Sequence, residues 1–312
     1  MLVDYTLHNV KGVKKSFDFA AAADILKYKD AGLFTIEDTT EWTEIFNSTE
    51  SMTGVKSLTE LETPPVLDLE EGYTVTLANT RFGGAIMITE DDMTRAKDST
   101  VMIDKFITRK RDALLTESRH YFITEIFALY NDAFNSGAST LAPDGVELCG
   151  VHQWSTGASF GFTNYSTDIL DEDGIANLEE YAGAITDASG KPMPQNFDTI
   201  VVKKGSANSR RAKQLFGMKN MVPTAVGDIN IYEGEYRLIE TPYITAANKK
   251  AWFALATSQF QNPLYVGVTK MPSMNEPFVD KNNAVTSNAT GYFKLGINSM
   301  PVNVYGSVGT GA

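Results

Sequence analysis

The chain of 312 residues has a single cysteine, Cys149, and three histidines, His8, His120 and His152. One cysteine excludes an internal disulfide framework and suits a protein made in a reducing compartment. Long apolar runs are missing as well. No stretch approaches the ~18 uncharged apolar residues of a membrane span. The N-terminus, MLVDYTLHNV, has no basic region followed by an apolar one, so no signal peptide is expected. These absences predict a soluble protein that stays where it is made, and they strip the sequons at Asn47, Asn164 and Asn288 of meaning for glycosylation. Basic residues are in deficit. Lys and Arg number 27 against 39 Asp and Glu, a formal charge of -12. A dedicated nucleic-acid binder would need basic phosphate contacts that this balance does not supply.

What remains is an ordinary folded composition, 43% hydrophobic and 21% charged. The length suits one elaborate domain or two modest ones with ample core. The pattern along the chain is α+β. Lys11, Lys14 and Lys15 form a small basic cluster in a leading arm. SFDFAAAADILKYKDAG then predicts a short helix between Ser16 as N-cap and Gly32 near its end. From residue 37 to about 88 the chain reads as a long two-stranded excursion. Its outgoing arm, 50–62, is polar. Pro64 and Pro65 mark the turn. Tyr73, Val75 and Leu77 alternate with polar residues as a strand does. A hairpin of this kind is marginal alone in water, so it should lean on a neighbour.

The clearest local signal follows. Thr89 is placed to cap a helix that opens with Glu90, Asp91 and Asp92. An apolar stripe through Ile103, Phe106, Ile107 and Leu114, then Phe122, Ile126 and Leu129, carries helical pattern to about Asn135. The polar patch from Lys97 to Thr100 is a possible break with recapping at Ser99 or Thr100, and Gly137 is a natural stop. Unbroken, about 45 residues would span roughly 70 Å, which suits an elongated subunit. Residues 141–262 predict a compact mixed region. It holds helices at LEEYAGAITDA and SANSRRAKQLFG (Ser206 near the cap), strands at FDTIVVKK and KKAWFALAT, and two strands around a Gly-Glu turn in GDINIYEGEYRLIETPYIT. PLYVGVTKMP and GYFKLGINSMPVNVYG return the chain to strand.

Chemistry-bearing constellations are thin. Cys149 and His152 lie three apart in LCGVHQW, but no third partner is visible and a structural zinc would need four ligands. The run Asp168, Asp171, Asp173, Gly174 lacks the order and final Glu of a calcium loop, so an N-cap for the helix through Leu178 is the favoured role. Gly183 to Lys191 has the wrong spacing for a phosphate loop, with Pro192 where Ser or Thr is required. Gly83-Gly84 precedes a strand, so it is no dinucleotide fingerprint and instead permits a bulge at the hairpin base. Adjacent acids such as Glu179-Glu180 are unremarkable in an acidic chain. No catalytic, metal or cofactor site is expected.

The order of these pieces resembles the Hong Kong 97-type major capsid protein of tailed bacteriophages, from about Phe34 to Gly306. NTRFGGAIMITEDDMTRAKDS looks like a hairpin's return arm entering that family's spine helix. LCGVHQWSTG with the Asn164 loop looks like the exit into its apical domain. PQNFDTIVVKKGSANSRRAKQLFG is similar to the central strand and helix, and KKAWFALATSQFQNPLYVGV to the passage back. The resemblance implies an N-terminal arm (1–36), an extended hairpin loop (37–88), a peripheral domain with the spine helix (89–145 and 263–312) and an apical domain (146–262).

It further implies a non-enzymatic shell subunit that assembles into homo-pentamers and homo-hexamers around double-stranded DNA. An acidic wall that does not hold the duplex suits that task. Virion localisation follows, with assembly in the bacterial cytoplasm. So do separate scaffold, portal and decoration proteins as partners, and no membrane. Scaffolding is expected from a separate protein because the chain has only a short arm before the hairpin. Trp42, Lys56, Pro64, Pro65, Tyr73, Phe82 and Gly83 are the candidate assembly-interface residues. Lys56 could also serve in a family-type cross-link, although no partner is identifiable and a solvated lysine is the default. Two alternatives stay open: an encapsulin-like nanocompartment shell, and a soluble hydrolase or binding module.

Overall fold

The computed structural model describes residues 30–49, 63, 71–95, 100–217, 231–245, 247–258, 262–282 and 284–310. The expected helix from Ser16 and the polar arm at 50–62 therefore lie outside the described residues. The strands run β1 (Thr35–Asp38), β2 (Thr43–Thr49), β3 (Glu71–Ala78), β4 (Thr80–Ile88), β5 (Val151–Gln153), β6 (Gly161–Thr163), β7 (Tyr165–Ser166), β8 (Thr199–Lys203), β9 (Arg237–Thr241), β10 (Trp252–Leu255), β11 (Leu264–Met274), β12 (Phe278–Val279), β13 (Val285–Ile297) and β14 (Val304–Ser307). The helices are α1 (Glu90–Arg95), α2 (Thr100–Asn131), α3 (Glu172–Ala184) and α4 (Ala207–Gly217). The described residues fall into two compact units. One is drawn from Met1–Thr43, Ala78–Ile126 and Val266–Leu295, the other from Glu44–Leu77, Phe127–Tyr265 and Gly296–Ala312.

The first unit is a five-stranded sheet under the long helix. Its path is β1-β11-β13-β12, with β4 on the other side of β13. β4 and β13 run antiparallel from Val285 opposite Ile88 to Phe293 opposite Thr80. The two-residue period of β4 turns Phe82, Ile86 and Ile88 to one face, and all three are buried. Ile86 and Ile88 pack with Met93, Ile107, Met274 and Val285, and Phe106, Leu114 and Leu115 close over them. Each fully buried aliphatic chain of this kind stabilises by roughly 1.5–3 kcal/mol. Phe82, Phe122 and Phe293 form an aromatic cluster with ring centroids 5.2 to 6.1 Å apart. Lys294 is buried beside them in sequence, and its ammonium donates to Thr39 Oγ1 at 3.4 Å.

Helix starts follow their caps. Thr89 Oγ1 accepts from the Asp92 N–H, and Asp92 Oδ2 accepts from the Thr89 N–H, both at 3.2 Å. Two of the orphan donors at the start of α1 are satisfied reciprocally in this way. Described helix runs to Arg95 and again from Thr100; residues 96–99, where a break is expected, lie outside the description. α2 stops at Asn131, earlier than Gly137, and the chain continues in turns.

The second unit has its own sheet, ordered β7-β14-β10-β8-β9. β10 is flanked antiparallel by β8 and β14, while β9 runs parallel to β8. α4 connects β8 to the chain leading to β9. Ser206 Oγ accepts from the Ser209 N–H at 3.1 Å, the expected cap of that helix. α3 is capped by Asp171, whose carboxylate accepts from the Gly174 N–H at 2.9 Å. The core joins Leu170, Ile175 and Leu178 to Ile200, Val202, Trp252 and Tyr305. The Trp252 indole N–H, which could not be left unpaired at this depth, donates to the Asp168 carbonyl at 2.9 Å.

One local expectation lies partly outside the described residues and another changes. Only one strand, β9, is described in GDINIYEGEYRLIETPYIT; residues 227–230 fall outside the description and 231–235 are turns. β14, expected to belong with the long helix, pairs with β10, and residues 296–312 group with the second unit.

Candidate assembly surface

The hairpin is built by β2 and β3, a two-stranded sheet with no further strand partner among the described residues. Ser48 fastens it. Its hydroxyl accepts from the Tyr73 N–H at 2.7 Å and donates to the Tyr73 carbonyl at 3.1 Å. The space this needs is kept by Gly72, where a Cβ would sit 2.5 Å from Ser48 Oγ. On one side Phe46 meets Tyr265 edge-on at 4.9 Å, and Leu77 is buried. On the other, Ile45 is 67% exposed. The outward face of the hairpin thus carries an aliphatic side chain exposed among the described residues.

The candidate interface residues do not form one patch. Lys56, Pro64 and Pro65 lie outside the described residues. Tyr73 is half-buried in β3. In the first unit, Trp42 is 60% exposed with its ring 5.3 Å from that of Tyr292, and its carbonyl accepts from the Asn79 N–H. Gly83 is exposed on β4, but a Cβ there would come 2.3 Å from the Ala289 carbonyl, so glycine is required by the close approach of β13. Phe82 sits deeper than an interface residue is expected to. It is buried in its own aromatic cluster and anchors the strand, with part of its ring at the border of a groove. The signal was in the sequence, because Phe82, Ile86 and Ile88 share the parity of a single strand face.

A second surface feature was not foreseen. A groove of about 450 Å³ opens along β4 and α2, lined by Arg81, Phe82, Gly83, Gly84, Leu114, Glu117, Ser118 and Tyr121. Tyr121 is 43% exposed beside it.

The Cys149–His152 pair acquires a neighbour that spacing did not reveal. His152 is fully buried, stacked on Phe162 at 5.0 Å. Its Nδ1 lies 2.9 Å from Asp144 Oδ2 and its Nε2 3.3 Å from the Leu148 carbonyl. Burial pushes the Asp144 carboxyl up. The hydrogen bond and charge of His152, with the N–H groups of Val146 and Gln153, outweigh it and hold the group below the usual carboxylate range. Burial pushes the Cys149 thiol far up, helped by nearby Glu147. A nucleophilic cysteine needs the opposite shift and an accessible sulfur, so Cys149 packs and His152 ties the loop. Asn164 does similar work. Its buried amide accepts from the Gly150 N–H and donates to the carbonyls of Leu148, Pro301 and Val304. No group of three or more His, Cys, Asp or Glu side chains suited to a metal occurs among the described residues, and no described helix is long and apolar enough to cross a membrane.

No protein-family model and no curated protein matches the sequence. Solved structures do match. One of Mycobacterium phage Patience is 12% identical, with a TM-score of 0.54, over 95% of this chain and 87% of its own. One of Microbacterium phage Oxtober96 is 11% identical, with a TM-score of 0.50, over 89% and 88%. The capsid of Myoviridae Phage XM1 is 10% identical over 89% and 90%, at a lower TM-score of 0.46. At these identities the first two likenesses define the fold. The chain shares its α+β fold with these two phage structures.

Proposed function

We propose that the protein is the structural shell subunit of an icosahedral phage head, acting by self-assembly into pentamers and hexamers that enclose double-stranded DNA. The observation that carries this reading is the fold likeness to the Patience structure along almost the whole chain. Fold alone does not give function, but three features point the same way. The hairpin has no third strand among the described residues and carries the exposed Ile45. The buried thiol of Cys149 and the engaged ring of His152 are not arranged as a nucleophile and base for each other. The charge of -12 suits a wall that encloses a duplex without gripping it.

In this reading the organisation is that of the Hong Kong 97 type. The hairpin, with Trp42 and Tyr73 and the tip at Lys56, Pro64 and Pro65, lies over the adjacent subunit. The long helix and its sheet form the peripheral domain, and the second unit's sheet forms the core of the apical domain. Scaffold, portal and decoration proteins are separate partners, the host cytoplasm is the place of assembly, and the virion is the destination. Purified protein examined by electron microscopy and size-exclusion chromatography tests the reading. Closed particles, tubes or ring-shaped capsomers support it. Particles that always carry a co-purifying protein cargo and never DNA would shift it to a nanocompartment shell.

A further inference from the structure

Two stretches of the second unit, residues 203–213 and 249–250, hold seven Lys and Arg residues and no Asp or Glu, in a chain where acids outnumber bases. The fold brings them together. Asn208, in the first turn of α4, donates through Nδ2 to the Lys250 carbonyl at 2.5 Å. The Lys204 N–H, just ahead of the same helix, donates to the Thr241 carbonyl at 2.8 Å. Two of the seven side chains are engaged: the Lys203 ammonium donates to the Ile244 carbonyl, and Lys213 pairs with Glu240 at 2.7 Å. Asn208, Ser209, Ala212 and Phe216 form the buried side of α4, which leaves Arg210 and Arg211 outside. Lys204, Arg210, Arg211, Lys249 and Lys250 are all exposed, and none has an ion-pair partner among the described residues.

We infer that this patch contacts the phosphates of double-stranded DNA, as a local, sequence-independent holding point on an otherwise acidic protein. A group of cations without partners raises the local concentration of a polyanion. Two observations select a duplex over an acidic protein segment. Protein interfaces draw most of their affinity from buried aromatic and apolar anchors, and neither stretch exposes a large apolar side chain among the described residues. Phosphate contacts use Arg and Lys together with amide and hydroxyl side chains, and Gln214 stands exposed one turn on from Arg210 and Arg211. Five cations make a weak contact that opens with salt, so the duplex is touched here while the acidic remainder repels it. That the patch lines the inside of a shell rests on the reading proposed above; its affinity for a duplex does not.

Fluorescence anisotropy tests this with the full-length protein, kept below the concentration at which particles form, and a labelled duplex of about 20 base pairs at about 50 mM salt and above. The expected result is binding whose logarithm falls against the logarithm of salt with a slope of about -4 to -5. Arg210→Gln/Arg211→Gln/Lys250→Gln should flatten that slope by about 2–3 and weaken binding about tenfold or more at the lowest salt. Arg210→Lys/Arg211→Lys/Lys250→Arg keeps the charge and should keep the slope. Lys105→Gln/Arg109→Gln/Lys281→Gln removes the same charge from exposed positions of the first unit and should change binding less than about threefold. No binding by the native protein, an equal loss in the two glutamine variants, or a loss in the charge-keeping variant would overturn the inference. So would a preference for polyglutamate of equal charge, which would assign the patch to an acidic protein segment. Electron microscopy at higher concentration separates the two proposals: particles without duplex binding sink the patch alone, and duplex binding without particles sinks the shell reading alone.

Discussion

The Nδ1 of His152 and the Oδ2 of Asp144 lie 2.9 Å apart with both side chains shut away from solvent. Asp144 also accepts from the N–H groups of Val146 and Gln153, so one carboxylate holds the chain between α2 and β5. Its folded pKa is depressed. The unfolded chain then binds the proton more tightly, so this group's contribution is present above the ordinary carboxylate pKa and is lost as pH falls through the folded value. Asp144→Asn should cost about 1–3 kcal/mol at pH 7, because a charged acceptor is taken from buried donors. In urea unfolding, the gap between native protein and variant should narrow below about pH 4. A gap that stays constant down to pH 2.5 would contradict this role.

Ile107 is 1% exposed in the middle of the first unit's core, among Ile86, Ile88 and Met274. Ile107→Asp should remove at least about 4 kcal/mol of stability, because no partner waits there for a charge. Ile107→Val, losing one methylene, should lose only about 1 kcal/mol. Soluble yield and thermal unfolding report both. A soluble, assembling Asp variant would mean that this helix face has been wrongly placed.

Glycine at 83 and glycine at 137 should respond differently to alanine. A Cβ at Gly83 meets the Ala289 carbonyl, which belongs to backbone and cannot step aside, whereas at Gly137 only Asn135 Oδ1 lies within contact range, at 3.5 Å. Gly83→Ala should destabilise by about 1–3 kcal/mol and Gly137→Ala by less than about 0.5 kcal/mol. Equal effects in denaturant titrations would contradict the close approach of β13.

Asp171 caps α3 through its carboxylate and the Gly174 N–H. Asp171→Ala should lower stability by about 1 kcal/mol, and neither calcium nor a chelator should shift the thermal midpoint of the native protein. A midpoint that rises with millimolar calcium would restore the ion-binding role.

Local chemistry was readable in the sequence; distant pairing was not. Thr89, Asp171 and Ser206 were recognisable as caps because a cap is a matter of side chains three residues apart. The strand character of Tyr73, Val75 and Leu77 and of TIVVK was legible from period and β-branching. The assignment of β14 to the second unit's sheet depends on Leu255 meeting Val304 across the chain, which no local pattern encodes. The His152–Asp144 tie joins residues eight apart through a turn at Gly145, a spacing that neither helix nor strand makes meaningful. The burial of Phe82 was legible from its strand parity with Ile86 and Ile88. The groove along β4 was invisible because it is defined by the edge of a sheet, and edges appear only once strand order is known.

The central claim concerns assembly, and the most direct measurement is negative-stain electron microscopy of the full-length protein beside a variant in which a short Gly/Ser linker replaces residues 50–70. The account predicts closed particles or capsomer rings for the native chain, and for the variant a folded subunit with unchanged circular dichroism that no longer assembles. A native chain that remains a 34.2 kDa monomer at high concentration and with candidate scaffold, or a variant that closes shells as well as the native chain, would contradict it.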